Sequence, residues 1–580
     1  MQKDITLSLG YVLLFLLFVT LTCGKILELM GVSLAQWTLP LGFVLTILFF
    51  SLLGRKWGEI CFRQSVRLYF SVLLIVALSL LLGGYVYDYA YDGQSYHQPI
   101  IRSLMWGWNP VYEPHCPYTA EWGCSSFVDH YPKAMEMLCA IFAKFVGNIE
   151  CGKAVNLLLV ASSFSFVYSF LKVYLTDKYG VLVKFWLAIL LTLSPVTLSQ
   201  VFTYYVDFTL YAYLLIGFSS IYLYVGETTC PQKYSLKGME ISLVVVMVVS
   251  LAVATKLTVA FWVGVFYLVA FVFLIQRKEV KKFFYLLRSA VVGGVFGLLI
   301  LGYHPYVTHL QQGYHLLHPF MGEKAVDVEA IQAEALADCG RVEAVVKSLF
   351  SRPGEGGADS KQNYLPDVQS VIASGKADVR IGGGGLLFIE LLLLTPILLL
   401  LTWRSSPPST LRCLVFIMLL VLSLFILPNG WWVRFTPFTY LIPVFAILHF
   451  FKSVPEKMRG FKVAVVAVMT VNMFVTGGVA LLLMQMHRSK VNYLTDVLKQ
   501  SKEVGIQCHN HTFQSLMEER GVVFQKVESA PQQLIYPGPA VFCYSEEWNT
   551  TGLKMSDYPL LRYSNIKDGF ISPCCESLSN

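Results

Sequence analysis

Residues 5–23 read ITLSLGYVLLFLLFVTLTC, an uncharged and almost wholly apolar run that decides the class of fold. A helix of about twenty apolar residues crosses the ~30 Å hydrocarbon core of a bilayer while its backbone hydrogen bonds are satisfied internally. A second apolar run, at 36–53, follows at once, and no small-residue cleavage site with a soluble domain behind it lies between the two. The first run is therefore interpreted as a permanent membrane span and not as a signal peptide.

The composition of the whole chain agrees with this interpretation. Of the 580 residues, 56% are hydrophobic and 14% are charged, whereas soluble domains carry roughly 25% charged residues. A water-soluble protein is excluded, and the long apolar runs favour helices over the short alternating segments of a barrel. The formal charge of +7 lies mainly in short loops, where it indicates topology and not nucleic-acid binding. The expected partner of the apolar surface is a lipid bilayer.

Hydropathy predicts an all-α polytopic membrane protein with about thirteen transmembrane helices. The predicted spans lie at 5–23, 36–53, 68–86, 154–172, 181–200, 208–225, 240–256, 258–275, 287–302, 386–402, 412–428, 435–451 and 462–486. The chain turns polar after the last span. A transmembrane domain of residues 1–486 and a small extracytoplasmic α/β domain of residues 487–580 are therefore predicted.

Three loops rich in lysine and arginine set the orientation, because such loops remain in the cytoplasm. They contain Arg55, Lys56, Arg63 and Arg67; Arg277, Lys278, Lys281 and Lys282; and Lys452, Lys457, Arg459 and Lys462. The amino terminus is predicted inside, and regions 87–153, 303–385 and 487–580 outside, with a bacterial inner membrane and periplasm as the expected location. The apolar run 134–146 is too short to span, so it is predicted to lie on the membrane surface, as is 96–106.

In this topology five charged residues occupy the external ends of separate segments. They are Asp92, Lys133, Asp207, Lys256 and Arg434. A charge beside lipid is costly unless it is paired or used. The five residues are therefore predicted to share one site at the outer boundary of the membrane.

Two motifs near the start of the first external loop contain candidate functional groups. The sequence DYAYDGQSYH at 88–97 follows the third span, and its Asp92 is suited to act as a general base that takes the proton of an acceptor hydroxyl. The alternative is that Asp92 caps the helix that follows. The sequence HYPK at 130–133 ends in Lys133, which is suited either to bind a phosphate or to extend toward the membrane interface.

The order of a span, an acidic motif, two surface helices and an HYP turn resembles the GT-C superfamily of membrane glycosyltransferases. This superfamily includes protein O-mannosyltransferases and lipid A aminoarabinose transferases. Further segments that resemble family motifs follow in chain order: SPVTLSQVFTYYVD at 194–207, TKLT at 255–258, YHPY at 303–306, HLLHPF at 315–320 and WWVRF at 431–435. The similarity covers roughly residues 70–450.

The resemblance implies an inverting transfer of a sugar from a polyprenyl-phosphate donor to a hydroxyl of a glycan, lipid or protein acceptor. In such a reaction Asp92 would be the base, and Arg434, with Lys133 or Lys256, would bind the departing phosphate. Arg434 has an alternative role as an interfacial anchor in an aromatic belt, and Asp207 has one as a helix cap. The residues expected around the sugar or the acceptor are Tyr96, His97, His130, Tyr205, Asp207, His304, His315 and His318.

No metal and no cofactor are expected. Many members of the superfamily carry a second acid beside the first, whereas here Gly93 follows Asp92 and the nearest acid is Asp88. A divalent ion prefers more than one carboxylate, so the transfer is predicted to be metal-independent, with a bound divalent metal as the alternative. In the loop 321–385, the glycines at 382–385 have two interpretations, a mobile flap over the site or an ordinary long loop.

Two other classes of function stay open. A transporter or flippase for a glycolipid or polysaccharide would place polar groups near the bilayer midplane, yet the span interiors are nearly free of charge. A polysaccharide polymerase or ligase that uses diphosphate-linked donors is barely separated from the first interpretation by the sequence. The identity of the donor lipid would separate them.

Overall fold

The structure is a computed structural model of the chain. It describes residues 4–57, 62–117, 125–175, 179–226, 231–322, 332–357, 364–427, 429–500, 505–508, 516–523, 525–526, 535–538 and 541–544. The helices are α1 (Ile5–Leu29), α2 (Thr38–Trp57), α3 (Phe62–Tyr85), α4 (Gln98–Trp106), α5 (Ser125–His130), α6 (Ala134–Val146), α7 (Ala154–Tyr174), α8 (Val181–Thr192), α9 (Pro195–Gln200), α10 (Phe208–Val225), α11 (Gly238–Thr255), α12 (Leu257–Gln276), α13 (Val280–Phe296), α14 (Thr308–Gln311), α15 (Arg341–Leu349), α16 (Val368–Ser374), α17 (Phe388–Trp403), α18 (Pro407–Ser423), α19 (Leu441–Ser453) and α20 (Arg459–Gln500). Short 3₁₀ or π turns lie at Gly93–His97, Ile149–Lys153, Gly297–Leu301, Tyr303–Val307, Glu334–Leu336, Pro437–Tyr440 and Glu456–Met458.

Eight helices in the described part of the chain are long and apolar enough to cross a membrane. They are Ile5–Leu29, Gln64–Tyr85, Ile149–Tyr174, Phe208–Val225, Gly238–Thr255, Leu257–Gln276, Val280–Leu301 and Arg459–Ser489. Shorter apolar helices coincide with the other predicted spans: Thr38–Leu52, Val181–Thr192, Phe388–Trp403, Pro407–Ser423 and Pro437–Ser453. A helical, multi-pass membrane protein is confirmed, while the number thirteen stays a prediction.

The predicted span at 181–200 is wrong in its length. α8 ends before Ser194, and a separate helix, α9, begins at Pro195. Ser194 caps α9, because its Oγ accepts a hydrogen bond from the backbone N–H of Thr197 at 3.2 Å. Proline is favoured at the first position of a helix, where no backbone donor is needed. The chain therefore turns here and leads into the YYVD segment at 204–207.

The amino terminus and several loops predicted to be cytoplasmic gather at one end of the bundle. Asp4, before α1, pairs with Lys172 near the end of α7 at 3.0 Å, and its backbone N–H donates to the carbonyl of Lys233. Lys282 of α13 donates to the carbonyl of Val225 at the end of α10. The charged residues that the sequence places outside lie at the opposite ends of these helices, as the topology requires. Which end faces the cytoplasm stays a prediction.

The predicted position of α6 is confirmed, but its predicted surface environment is wrong. Residues 134–143 are all buried inside the protein, where α6 packs against α1, α4 and α7. Gly24 of α1 permits this packing, because a Cβ at Gly24 would lie 2.8 Å from Cδ1 of Ile141. Residues 98–104 of α4 are likewise buried. The described part of the loop 87–153 therefore folds into the helical bundle.

The loop formed by residues 303–385, predicted to be external, is held close to the membrane helices. The guanidinium of Arg352 pairs with the carboxylate of Glu390 at the start of α17 at 2.5 Å. Gly382 has a φ of +67°, and a Cβ there would lie 2.3 Å from the carbonyl oxygen of Ser351. Close packing therefore accounts for glycine at this position, while the motion of a flap stays untested.

The carboxy-terminal tail begins later than the sequence indicates, because α20 continues past residue 486 to Gln500. Beyond it lie four short strands, β1 (Gly505–Cys508), β2 (Gln525–Lys526), β3 (Ile535–Gly538) and β4 (Val541–Tyr544). They form one sheet in the order β2-β1-β4-β3, with β1 parallel to β2 and antiparallel to β4. Most of 487–580 lies outside the described residues, so the small α/β domain stays a prediction.

Candidate functional site

Four of the five charged residues picked out by the sequence meet around one guanidinium, together with a fifth residue that the sequence analysis missed. We call Asp92, Asp207, Lys256, Asp378 and Arg434 the Arg434 centre. Arg434 Nη1 lies 3.1 Å from an oxygen of Asp92 and 3.1 Å from an oxygen of Asp378. Its Nε lies 3.2 Å from Oδ2 of Asp207, whose Oδ1 accepts a hydrogen bond from Lys256 at 2.6 Å.

Arg434 is fixed in place by aromatic rings. Its guanidinium lies over Tyr205 at 4.6 Å, over Trp432 at 4.4 Å and over Phe435 at 5.0 Å. Trp431 and Trp432 are each 1% exposed, so the alternative interpretation of Arg434 as an anchor in an aromatic belt at the membrane surface is wrong. Burial lowers the pKa of Arg434, but the surrounding carboxylates, Asp207 first, raise it well above its ordinary value. The cation is therefore permanent.

One N–H donor of Arg434 makes no hydrogen bond in this arrangement. Among the described residues, Nε of Arg434 and Oδ1 of Asp378 are buried without hydrogen-bond geometry toward any partner, although oppositely charged atoms are close. The contact with Asp92 does have hydrogen-bond geometry. Buried donors without an acceptor are rare in folded proteins. The centre is therefore suited to take up an additional polar ligand.

Asp92 follows α3 and is the N-cap residue of the π turn Gly93–His97, but its side chain makes no capping hydrogen bond. The capping alternative is therefore wrong, and the carboxylate instead faces Arg434. The side chain of Asp92 is 17% exposed, so a small hydroxyl can reach it. Burial, and then the charge of Asp92, raise the pKa of Tyr96 well above its ordinary value.

Asp207 and Lys256 lie at the junctions between consecutive helices. Asp207 precedes α10, again without a capping hydrogen bond from its side chain, so its capping alternative is also wrong. Lys256 separates α11 from α12 in an extended conformation, with φ −163° and ψ 142°. Burial alone would raise the pKa of Asp207, but Lys256 and Arg434 hold it below its ordinary value. The carboxyl group of Asp207 is therefore ionised at neutral pH.

Asp378 is the member of the centre that the sequence analysis missed. It lies in a segment whose carbonyls are held from three directions: Tyr89 donates to Gly375 at 3.0 Å, Gln200 to Ala377 at 3.2 Å, and Trp432 to Val379 at 2.9 Å. Burial raises the pKa of Asp378, although Arg434 and Arg380 act against this. The sequence offered one signal, the alternating charges of Lys376, Asp378 and Arg380 before the glycine run.

The glycine after Asp92 has a structural cause. A Cβ at Gly93 would lie 1.8 Å from Oδ2 of Asp88. The carboxylate of Asp88 is fully buried and accepts hydrogen bonds from the backbone N–H groups of Ala90 and Tyr204 at 2.9 and 3.0 Å. Burial raises the pKa of Asp88 to about 7. Asp88 therefore takes the space that a second acid at position 93 would need, and it holds the backbone instead of facing the site.

Lys133 does not belong to the Arg434 centre, contrary to the prediction of one shared site. Its Nζ donates to the carbonyl of Tyr131 and contacts Nε2 of His304, both at 2.9 Å. In the described part of the chain, none of its contacts is with a member of that centre. Nearby, Nδ1 of His130 lies 3.0 Å from Nε2 of His309, and the ring of His318 lies 4.5 Å from that of His130. We call these residues, Lys133, His304, His130, His309 and His318, the Lys133 cluster.

The two remaining predicted histidines lie apart from each other. Nδ1 of His97 pairs with Oε1 of Glu136 in α6 at 2.7 Å, and both side chains are buried. His97 lines a small cavity together with Tyr204 and Val206, which directly precede Asp207, so His97 borders the centre. His315 is exposed, and its Nδ1 accepts a hydrogen bond from the backbone N–H of Leu317. His315 is therefore a surface residue of the loop.

An apolar groove lies between α10, α12, α18 and α19, next to the Arg434 centre. It is lined by Leu214, Phe218, Trp262, Phe416, Leu420 and Phe445, among others. Trp262 lies six residues beyond Lys256, which is about 9 Å along a helix, and its ring contacts Phe438 at 4.7 Å. The groove therefore begins about two helical turns from the cations.

No group of three or more His, Cys, Asp and Glu side chains in the described ranges is arranged to hold a metal ion. The three carboxylates of the Arg434 centre are directed toward three cationic side chains, Arg434, Lys256 and Arg380, which balance their charge. Comparison with family models, curated proteins and solved structures yields no match to this chain. Its function is therefore argued from the geometry of its own residues.

Proposed function

We propose that this protein is an integral-membrane glycosyltransferase that moves a sugar from a lipid-phosphate donor to an acceptor hydroxyl, with Asp92 as the general base. The observation that carries the proposal is the composition of the Arg434 centre. It brings together a partly exposed carboxylate, a buried guanidinium with one N–H donor that makes no hydrogen bond, and a lysine. These groups lie at one end of a bundle of membrane helices. These are the groups that a transfer from a phosphate leaving group requires.

The reaction follows from these groups. The acceptor oxygen forms a bond to the anomeric carbon of the sugar as the bond between that carbon and the phosphate oxygen breaks. The acceptor proton passes to the carboxylate of Asp92, and the electron pair of the broken bond leaves with the lipid phosphate. Attack from the face opposite the phosphate inverts the anomeric centre. The new negative charge develops beside Arg434 and Lys256, whose fixed positions lower its energy.

Binding of the phosphate requires exchange of partners at Arg434. In the structure three carboxylates surround this side chain. A phosphate oxygen can replace Asp207 on Nε or Asp378 on Nη1, since neither of these contacts has hydrogen-bond geometry. Arginine suits this role, because its planar fork matches the oxygens of a phosphate.

The apolar groove supports a lipid-linked donor over a soluble one. Its described lining is almost entirely hydrophobic and lies within the membrane helices. A polyprenyl chain would enter the groove from the acyl region of the bilayer, so van der Waals packing against these side chains, and not removal from water, would hold it there. The phosphate at the end of this chain would then lie at the level of Lys256 and Arg434. Together with the predicted orientation, this supports transfer at the extracytoplasmic face.

Replacement of Asp92 tests the proposal. In vesicles supplied with a panel of labelled polyprenyl-phosphate sugars and acceptors, Asp92→Asn should reduce transfer at least about 100-fold, since the base is lost. The matched control is Asp338→Asn, the same change at an exposed site outside the centre, and it should transfer at the wild-type rate. Wild-type turnover by Asp92→Asn would contradict the proposal. So would movement of labelled glycolipid across the vesicle without formation of product, as expected of a transporter.

A further inference from the structure

α16, in the second external loop, has its polar and apolar sides inverted relative to a helix in water. Val368 and Ile372, one turn apart, are 75% and 44% exposed, and Leu365 just before the helix is 75% exposed. The residues that α16 buries are small or polar: Ser370, Ala373 and Ser374. Burial of serine and exposure of branched aliphatic side chains is unfavourable in water.

α20, the last long helix, shows the same inversion where it spans the membrane. Phe474 and Leu481 are 60% and 50% exposed, whereas Asn472 and Thr476 are fully buried. The reason is that lipid covers the outer side of this helix, so its polar groups face the protein. The pattern in α16 therefore has a precedent within the same molecule.

The two helices are in direct contact. α16 packs against α20, and a Cβ at Gly375, directly after α16, would lie 2.5 Å from the backbone nitrogen of Ala480. Ala480 is about 30 Å along α20 from Arg459, taking 1.5 Å per residue, which equals the thickness of the hydrocarbon core. α16 therefore lies beside α20 at the outer boundary of that core.

We infer that the apolar side of α16, formed by Leu365, Val368 and Ile372, is immersed in the outer leaflet of the bilayer, at the boundary between headgroups and acyl chains. The occupant is lipid, because α16 packs directly on α20, whose outer side faces lipid, and its exposed side chains are apolar like those of α20. Helices at this depth bury their apolar side and keep charged ends in the headgroup region. Asp367 and Lys376, which flank α16, fit that arrangement. α16 thereby anchors the segment that carries Asp378, and the inference is independent of the proposed activity.

Spin labels in reconstituted bilayers test this inference. A nitroxide at Val368→Cys should collide more often with oxygen, which dissolves in lipid, than with a water-soluble nickel complex. Two matched sites calibrate the ratio of the collision rates: Phe474→Cys on α20 for lipid, and Glu343→Cys for water, since that side chain is 55% exposed and charged. The unsubstituted chain, which has 13 cysteines, gives the background signal.

The expected ratio at position 368 is close to that at 474 and several-fold above that at 343. Ile372→Cys, on the same side of α16, should repeat the result and guards against a local effect of one label. A ratio like that at 343 would overturn the inference, because the side would then face water. Slow collision with both reagents would overturn it as well, because a protein surface would then cover α16.

Discussion

The Arg434 centre and the Lys133 cluster look alike in the sequence and differ in the structure. Each has a buried cation in a region predicted to be external, and both cations are candidate phosphate ligands by sequence. Arg434 lies among the carboxylates of Asp92, Asp207 and Asp378. Lys133 lies among neutral acceptors, the carbonyl of Tyr131 and the ring of His304.

This difference sets the charge of each region. The carboxylates raise the pKa of Arg434, whereas burial lowers the pKa of Lys133 to about 8 and that of His304 well below its ordinary value. A fixed positive charge at neutral pH can stabilise a departing phosphate. A group that loses its charge near pH 8 is a weaker ligand, so we expect the first region to bind the donor and the second to stabilise the fold.

Substitution of Arg434 should give the largest effect on the donor. Arg434→Lys keeps one charge but loses the planar fork, so binding of polyprenyl phosphate should weaken about 10- to 100-fold, the loss of one charge-assisted hydrogen bond of about 1.5–3 kcal/mol. The measurement is a binding isotherm in nanodiscs. The matched control is Arg102→Lys, since Arg102 also combines a carboxylate partner, Glu519, with an indole ring, that of Trp106, and contacts no member of the centre in the described structure. Equal weakening in both variants would contradict the assignment.

Substitution of Lys133 should change stability and leave donor binding unchanged. Lys133→Met removes two polar contacts and leaves buried acceptors at Tyr131 and His304, which should lower the free energy of unfolding by about 1–3 kcal/mol. Thermal melting in detergent measures the stability, and the binding isotherm described for Arg434 measures the binding of the donor. Weaker binding of polyprenyl phosphate by folded Lys133→Met would join the two regions into the single site that the sequence predicts.

The Lys133 cluster should also make the fold sensitive to acid. Burial, and then the neighbouring histidines, lower the pKa of His130 to about 4 and that of His309 to about 3. Well above pH 6.5 the two rings are neutral in both the folded and the unfolded protein, so they do not contribute to the pH dependence of stability there. Between pH 6.5 and about 4 the unfolded chain binds protons that the folded rings do not, so stability falls as the pH falls.

His309→Gln should remove part of this dependence. Melting temperatures of the two proteins, measured at a series of pH values from 7 to 4, should fall less steeply for His309→Gln than for the wild type. The comparison between the proteins isolates the histidine, because Asp88, whose pKa is raised, contributes an opposite slope in both. Parallel curves for the two proteins would show that His309 is not the origin of the acid sensitivity.

Chelation should have the smallest effect. The carboxylates of the Arg434 centre are balanced by Arg434, Lys256 and Arg380, and no group of metal ligands occurs in the described structure. Transfer should therefore continue at the full rate after exhaustive treatment with EDTA, with mock-treated protein as the control. If transfer were lost and manganese or magnesium restored it, a divalent ion would contribute, with Arg434, to stabilising the departing phosphate.

Four of the five members of the Arg434 centre could be predicted, because the sequence specifies the position of each charge along its helical segment. The topology places Asp92, Asp207, Lys256 and Arg434 at matching ends of their segments, and the structure brings these four together. Asp378 could not be found in this way, since it comes from a long loop without apolar periodicity. Lys133 was misplaced for a related reason: its position along the chain says which end of the bundle it occupies, but not which neighbours it meets.

The sequence by itself determines that the chain crosses a membrane and which charges lie at which end, because hydropathy is a local property of each segment. Tertiary structure alone decides which of these charges share a site. α6 and α16 show why: both are short helices in loops that are predicted to be external, yet α6 is covered by protein and α16 has its apolar side exposed. Burial depends on which helices pack together, and that is decided by contacts between residues far apart in the chain.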